Sequence, residues 1–72
     1  MILPMQVREA KIGMLFRYSH LGGLPMTYII NGTPFVAHGR SVVKAHCVDT
    51  GETRTFNNWM FRDIELLETT ND

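Results

Sequence analysis

The stretch SVVKAHCVDTGETRTF, residues 41–56, decides how the rest of the chain is interpreted. Its first half is rich in the β-branched residues Val42, Val43 and Val48, and Asp49-Thr50-Gly51 supplies a turn. Two β-prone runs on either side of a Gly-containing turn predict an antiparallel hairpin. The stretch therefore indicates a small β-domain, and it does not by itself identify an activity.

The register of this hairpin has two solutions. A three-residue loop with Gly51 in the left-handed conformation would pair Lys44 with Phe56. A two- or four-residue loop would instead pair Ala45 with Phe56. We favour the second register because it leaves Lys44 and His46 facing outward and gives the hairpin one apolar face. That face consists of Val43, Ala45, Cys47 and Phe56.

Length and cysteine content limit the class of protein. The chain has 72 residues, which suffices for one domain (1–72) with a thin core. The single cysteine, Cys47, excludes an intrachain disulfide and favours the reducing cytoplasm, since small secreted domains are usually cysteine-rich. No apolar run approaches the roughly 20 residues that cross a bilayer, and the first residues do not resemble a signal peptide. We therefore expect a cytoplasmic protein without a membrane partner.

Charge is unevenly distributed along the chain, although the net charge is zero. Residues 1–48 carry five basic residues and one acidic residue, whereas residues 49–72 carry two basic and six acidic residues. Such a pattern predicts a dipolar surface that can steer charged partners. The alternative is that the two halves interleave in the fold and cancel locally.

The chain before the first loop predicts one strand. Residues 1–6 show no periodicity and are expected to be loose. Residues 7–11 are consistent with a single helical turn or a short strand. Residues 11–18 predict a strand, in which Gly13 marks a bulge or a bend. The alternating side chains on its inner face would be Ile12, Met14, Phe16 and Tyr18.

The middle of the chain predicts a second hairpin. Two glycines and a proline in residues 19–25 indicate a loop, and residues 26–30 follow as a strand. Asn31-Gly32 is a strong signal for a two-residue hairpin turn, which would make residues 33–38 the partner strand. Gly39-Arg40 would then turn the chain into the central hairpin.

The end of the chain is open to two interpretations. We favour a short helical turn over residues 57–61, a closing strand over 64–67, and a polar tail from residue 68 onward that frays. Alternatively, residues 57–68 form one helix with an apolar stripe, which would give an α+β domain with a C-terminal helix. The favoured interpretation is a mainly β fold.

Three segments, KIGMLFRY, VVKAHCVDTGETRTF and DIELLE, together resemble the pattern of small SH3-like β-barrels over residues 11–68. The resemblance implies a partly open barrel of about five strands with one short helical turn before the last strand. The chain lacks the acidic loop and proline-groove motifs of signalling SH3 domains, so binding of proline-rich peptides is not implied. It also lacks a glycine-centred motif of the ribosomal and transcription-factor barrels. A chain this short is also reminiscent of accessory or regulatory proteins of bacteria and their phages.

Metal binding and catalysis find little support in the sequence. His20, His38, His46 and Cys47 are the only candidate zinc ligands, and they do not form the closely spaced pairs of a structural zinc site. Cys47 lies in a predicted buried strand, which disfavours a reactive thiolate. No phosphate loop or nucleophile motif occurs. We therefore expect no enzyme activity, no catalytic residue, no metal, no cofactor and no small-molecule substrate.

Protein–protein interaction is the function that the sequence favours. The chain contains more large apolar residues than a core of this size can bury, and exposed apolar patches commonly mark interfaces. A homodimer through pairing of the first strand is a further possibility that would also add stability. The predicted contact residues are Leu21, Leu24, Met26, Trp59, Met60 and Phe61.

Nucleic-acid binding is the alternative. Basic side chains near aromatic rings are the usual components of a surface that binds nucleic acid, although a pI near 6.8 is far from the strongly basic profile of most such domains. If Lys44, His46 and Arg54 share an outer face, a basic stripe crosses the central hairpin. The alternative contact set is Arg17, Tyr18, Arg40, Lys44 and Arg54. The candidate rings are Phe16, Tyr18, Tyr28 and Phe35, although a small barrel needs most of its aromatic residues in the core.

Overall fold

The computed structural model describes residues 6–68, so residues 1–5 of the predicted loose lead-in (1–6) and residues 69–72 of the predicted tail lie outside it. The two described ends are ordered: the Gln6 N–H donates to the Glu9 carboxylate at 3.0 Å, and Glu68 belongs to the last strand. Within this range the chain forms one sheet of six antiparallel strands with short helical segments. The strands are β1 Leu15–Tyr18, β2 Met26–Ile30, β3 Phe35–Ala37, β4 Arg40–Cys47, β5 Thr53–Asn57 and β6 Glu65–Glu68. The helical segments are 3-10 turns at Val7–Glu9 and His20–Gly22 and the helix α1, Asn58–Phe61.

The sheet curves into a partly open barrel around β4. β5 pairs with one edge of β4, β2 pairs with the other, and β1 and β6 follow in order. The sheet does not close between β5 and β6, and α1 connects these two strands. The predicted mainly β, partly open barrel with a short helical turn before the last strand is confirmed.

The register of the β4–β5 hairpin differs from both predicted registers. Val43 lies opposite Phe56, so the pairing is displaced by two residues from the preferred solution, which placed Ala45 there. A four-residue loop, 48–51, is closed by the Gly51 N–H, which donates to the Cys47 carbonyl at 2.8 Å. Because side chains alternate with a period of two, a displacement of two residues leaves the predicted inner face unchanged. Val43, Ala45, Cys47 and Phe56 are all buried.

β2 and β3 form one long, bulged strand along the same edge of β4. Ile30 lies opposite Ala45 and Phe35 lies opposite Val42, so residues 31–34 face only two residues of β4. An insertion of this kind is a bulge, and it bends the strand that carries it. The predicted hairpin turn at Asn31-Gly32 is therefore wrong, because β3 pairs with the strand that follows it.

The hairpin turn lies instead at His38-Gly39, between the paired residues Ala37 and Arg40. His38 has φ 53° and Gly39 has φ 74°, and two successive left-handed residues are what a type I′ turn requires. This turn has the twist that suits two antiparallel strands. The prediction of a turn at Gly39-Arg40 was displaced by one residue.

β1 is shorter than the predicted strand over residues 11–18. Ile12 and Gly13 form a turn, and Ile12 is exposed, so it does not belong to the core face. Met14 and Phe16 are buried as predicted. The Gly13 N–H donates to the Ile30 carbonyl at 2.9 Å, which anchors this turn to the end of β2.

The helix α1 is only one turn long. A capping residue starts it directly after β5, and after this turn the chain enters the strand β6. The Asn57 side-chain oxygen accepts a hydrogen bond from the Met60 N–H at 2.9 Å. β6 then pairs with β1, with Phe16 opposite Leu66. The alternative of one helix over residues 57–68 is therefore wrong.

Aromatic rings fill the interior of the barrel around Phe56. The ring centroid of Phe56 lies 5.1 Å from that of Phe16, 5.0 Å from Tyr28 and 5.3 Å from Tyr18, all in edge-to-face arrangements. Phe61 closes the same cluster from α1. Rings from four different elements thus pack together in the core, and this packing sets the positions of the strands and α1 around it.

Candidate functional site

The outer face of β3, β4 and β5 carries a surface concavity. Val43, Ala45 and Cys47 of β4 point into the core, so the alternate residues Arg40 and Lys44 point outward. Residues directly opposite one another in a sheet lie on the same face. By this rule the outer face also includes Phe35, Ala37, Val42 and Thr55.

These side chains enclose a groove of about 680 Å³. Val42 forms its floor: it is only 8 % exposed although it lies outside the core cluster. Phe35, opposite Val42, is 42 % exposed and offers part of its ring to the groove. The groove is lined by Phe35, Ala37, His38, Arg40, Val42, Lys44 and Thr55.

Local backbone structure explains why the groove forms here. The bulge over residues 31–34 bends β3 away from the line of β2. The left-handed turn at His38-Gly39 then returns the chain so that Arg40 lies directly opposite Ala37. The same turn brings the His38 side chain to the end of the groove.

The groove is positively charged. Arg40 and Lys44 are exposed, and no carboxylate is among the lining residues. In the part of the chain that the structure describes, neither cation forms an ion pair; the ion pair found there joins Arg17 to Glu65 at 3.6 Å on another part of the sheet. The predicted charge asymmetry thus cancels locally between β1 and β6 but persists at this groove.

A second cavity of about 410 Å³, the Trp59 cavity, adjoins the groove and shares Arg40 with it. Trp59 lies here because α1 follows β5 directly and Asn57 is opposite Val42. The indole is 72 % exposed, and the Arg62 guanidinium carbon lies 5.2 Å from its ring centroid, within the range of a cation–π interaction. The cavity is lined by Gly39, Arg40, Ser41, Asn57, Asn58 and Trp59.

The structure divides the nucleic-acid set predicted from the sequence. Arg40 and Lys44 line the groove together, whereas Arg17 lies apart from it and pairs with Glu65. Tyr18 packs against the core and Arg54, opposite Ala45, is half-buried on the inner side of β5. The expected stripe of Lys44, His46 and Arg54 therefore does not form, because Arg54 faces the opposite way.

The protein-contact set is also divided. Leu21 and Leu24 are 90 % and 82 % exposed on the loop between β1 and β2. Met26 and Met60 are half-buried, and Phe61, at 1 % exposure, belongs to the core and offers no contact surface.

Leu21 and Trp59 do not share a surface. Trp59 lies beside Arg40, at the start of β4. The loop that carries Leu21 lies at the other end, where the Val48 N–H donates to the Thr27 carbonyl at 3.0 Å. The eight residues of β4 span about 25 Å between these ends. Leu21 and Leu24 thus form one apolar surface and Trp59 belongs to another.

Sequence reasoning did not find Val42, His38 and Thr55 as parts of one site. Their juxtaposition follows from the β3–β4–β5 register, which the sequence left open. The signal that was available is the dipeptide His38-Gly39: histidine is one of the few residues enriched at positive φ, and glycine adopts it freely.

Cys47 is a buried free thiol, as the strand pattern predicted. Burial acts to raise the pKa of Cys47, but hydrogen bonds from the Thr50 hydroxyl and from the backbone N–H groups of Thr50 and Asp49 outweigh it, so this pKa is lowered. Burial raises the pKa of Tyr28, and the nearby Arg54 guanidinium only partly offsets that rise. Among the described residues, no group of three or more His, Cys, Asp or Glu side chains is arranged to hold a metal.

Comparison with protein-family models, with curated proteins and with solved structures finds no match to this chain. None of the helices in the described range has the length and apolar character needed to cross a membrane.

Proposed function

We propose that this protein is a small, non-enzymatic cytoplasmic binding module that holds single-stranded nucleic acid in the outer-face groove. The observation that supports the proposal is the exposed ring of Phe35 above a buried Val42, beside Arg40 and Lys44 and without a carboxylate in the lining. An exposed ring beside cations is the usual combination for single strands, because the ring stacks on a base while the cations contact phosphates.

The groove favours a single strand over a duplex. In a duplex the base faces are stacked on one another, so an aromatic ring on the protein surface cannot reach them. In a single strand the faces are free. Only two cations line the groove, so we expect modest affinity with a shallow salt dependence, about −1.4 in log–log slope for two neutralised phosphates.

Fluorescence anisotropy of a labelled oligothymidylate of about twelve nucleotides tests this proposal, with salt varied between about 20 and 200 mM. We expect salt-sensitive binding that weakens about tenfold or more in the double variant Arg40→Ala, Lys44→Ala. The matched control is Arg8→Ala, Lys11→Ala, which removes the same charge from two exposed positions outside the groove. No binding at low salt, or equal weakening in the two double variants, would contradict the proposal.

Protein binding is a second candidate, at a different surface. The loop between β1 and β2 exposes Leu21 and Leu24, and Leu21 is held at φ 53°, a conformation that a leucine rarely adopts. Exposed leucines on a strained loop support a contact with an apolar surface of a partner protein. The test is cross-linking of the purified protein to its captured partner: the cross-link should disappear in Leu21→Ser, Leu24→Ser and persist in Val36→Ser, another exposed apolar position. The predicted pairing of two copies through the first strand is wrong, because β1 lies between β2 and β6 in the sheet. A homodimer through another surface stays a prediction, which light scattering can test.

A further inference from the structure

The groove and the Trp59 cavity are neighbours that share one side chain, Arg40. Resting on the proposed function, we infer that a bound single strand continues from the groove into the Trp59 cavity. Phe35 stacks on one base, Trp59 stacks on the next, and Arg40 contacts the phosphate between them. The ligand is therefore a strand of at least two nucleotides whose bases are unstacked from each other.

The distance between the strands that carry the two rings requires the two bound bases to separate. Phe35 on β3 and Asn57 on β5 flank Val42 on its two sides. Neighbouring strands are about 4.8 Å apart, so these two positions are on the order of 10 Å apart, and Trp59 follows Asn57 by two positions. Stacked bases rise by only about 3.4 Å along a strand. Two bases that contact both rings must consequently be splayed apart, which a single strand permits and a duplex does not.

The Trp59 indole is restrained on one face and remains exposed for stacking. The Arg62 guanidinium lies over the indole and restrains it without burying it, since the ring remains largely exposed. Arg62 does not line the cavity, so it does not occupy the space that a base would fill. One face of the indole packs against Arg62, which leaves the opposite face for a base.

The polar lining of this cavity indicates which base edge it accepts. The Asn57 side-chain oxygen accepts from the Met60 N–H and the Asn58 side-chain oxygen accepts from the Val7 N–H. With both oxygens engaged, the two amides have N–H donors left to offer. Together with Arg40 they make the cavity rich in donors. Such a lining accepts the keto oxygens of thymine and uracil. Pyrimidine runs also stack weakly on themselves, so their bases separate at a lower cost than adenines do.

Intrinsic fluorescence provides the test, because Trp59 is the only tryptophan in the chain. Oligothymidylates of about two, four and eight nucleotides are titrated against the wild type, with oligodeoxyadenylates of the same lengths as comparison. We expect quenching of Trp59 from the dinucleotide upward, with tighter binding of the thymidylates. Trp59→Ala should weaken binding at least about fivefold, the lower end of what one stacked base contributes, and Trp59→Phe should restore most of it.

The outcomes separate this inference from the proposed function. If the oligonucleotides bind and the Arg40→Ala, Lys44→Ala variant weakens them, but Trp59 is not quenched and Trp59→Ala binds normally, the inference is wrong and the proposed function stands. If no oligonucleotide binds at low salt, both are wrong. Circular dichroism of Trp59→Ala confirms that any loss is not unfolding, which the exposure of this side chain leads us to expect.

Discussion

The side-chain oxygen of Asn58 accepts a hydrogen bond from the backbone N–H of Val7 at 2.7 Å, although the two residues are 51 positions apart. Val7 is fully buried, and Asn58 also lines the Trp59 cavity. One side chain thus ties the first described turn to α1 and supports the proposed site.

Asn58→Ala should therefore lower the free energy of unfolding by about 1–3 kcal/mol, because the buried Val7 N–H loses its acceptor. Urea denaturation measures this loss. Asn31→Ala is the matched control, because Asn31 is exposed and the bond that holds it uses its backbone N–H. Equal unfolding midpoints for the two variants would show that the Asn58–Val7 bond contributes nothing.

The two faces of the sheet can be compared with one type of substitution. Phe56→Ala removes the ring at the centre of the core and should lower the free energy of unfolding by about 3–5 kcal/mol, a large part of the stability of a domain of this size. Phe35→Ala removes a half-exposed ring outside the core cluster and should leave the protein folded. Thermal melting followed by circular dichroism distinguishes them. A Phe56→Ala variant that melts at the same temperature as Phe35→Ala would be inconsistent with this core.

The position of the hairpin turn can be tested with two glycines. Gly39→Ala places a side chain at φ +74° and should destabilise the protein by about 1 kcal/mol, because only backbone conformation is at stake: no atom lies within 4 Å of the added Cβ. Gly32→Ala is equally unobstructed and has no positive φ, so it should be close to neutral. Chemical denaturation gives both values. A larger loss of stability in Gly32→Ala than in Gly39→Ala would place the turn at Asn31-Gly32.

Stability at high pH should depend on Tyr28. Burial raises the pKa of Tyr28 above its ordinary value of 10.0, so the unfolded chain loses this proton before the folded chain does. The stabilisation is complete below about pH 10 and is lost as the pH rises through the folded-state pKa of Tyr28. Tyr28→Phe should flatten this part of the stability profile, measured by urea denaturation at a series of alkaline pH values. An unchanged alkaline slope in Tyr28→Phe would exclude the effect.

Features that depend on alternation were predictable from the sequence. The side chains on the inner face of β4 and β5 were predicted correctly from a wrong register, because a shift by two residues returns every side chain to the same face. The short helix before β6 was also predictable, since Asn57-Asn58 favours a cap and interrupts the strand pattern.

Features that depend on the backbone conformation of single residues were not predictable. Asn31-Gly32 has a stronger turn signal than His38-Gly39, yet the chain turns at the latter, between the paired residues Ala37 and Arg40. The groove requires this turn, the preceding bulge and the β4–β5 register at once. An error in any of them displaces the site: the hairpin predicted at Asn31-Gly32, for example, would pair β3 with β2 and not with β4.

The central claim is that the outer face of β3, β4 and β5 holds single-stranded nucleic acid, and chemical-shift mapping tests it most directly. The backbone amide spectrum of the labelled protein is recorded with increasing amounts of an oligothymidylate of about twelve nucleotides. We predict that the shifts concentrate at Phe35, Arg40, Lys44, Thr55 and Trp59, while Leu21 and Leu24 remain unperturbed. Shifts confined to the Leu21–Leu24 loop, or no shifts at saturating oligonucleotide, would contradict the claim.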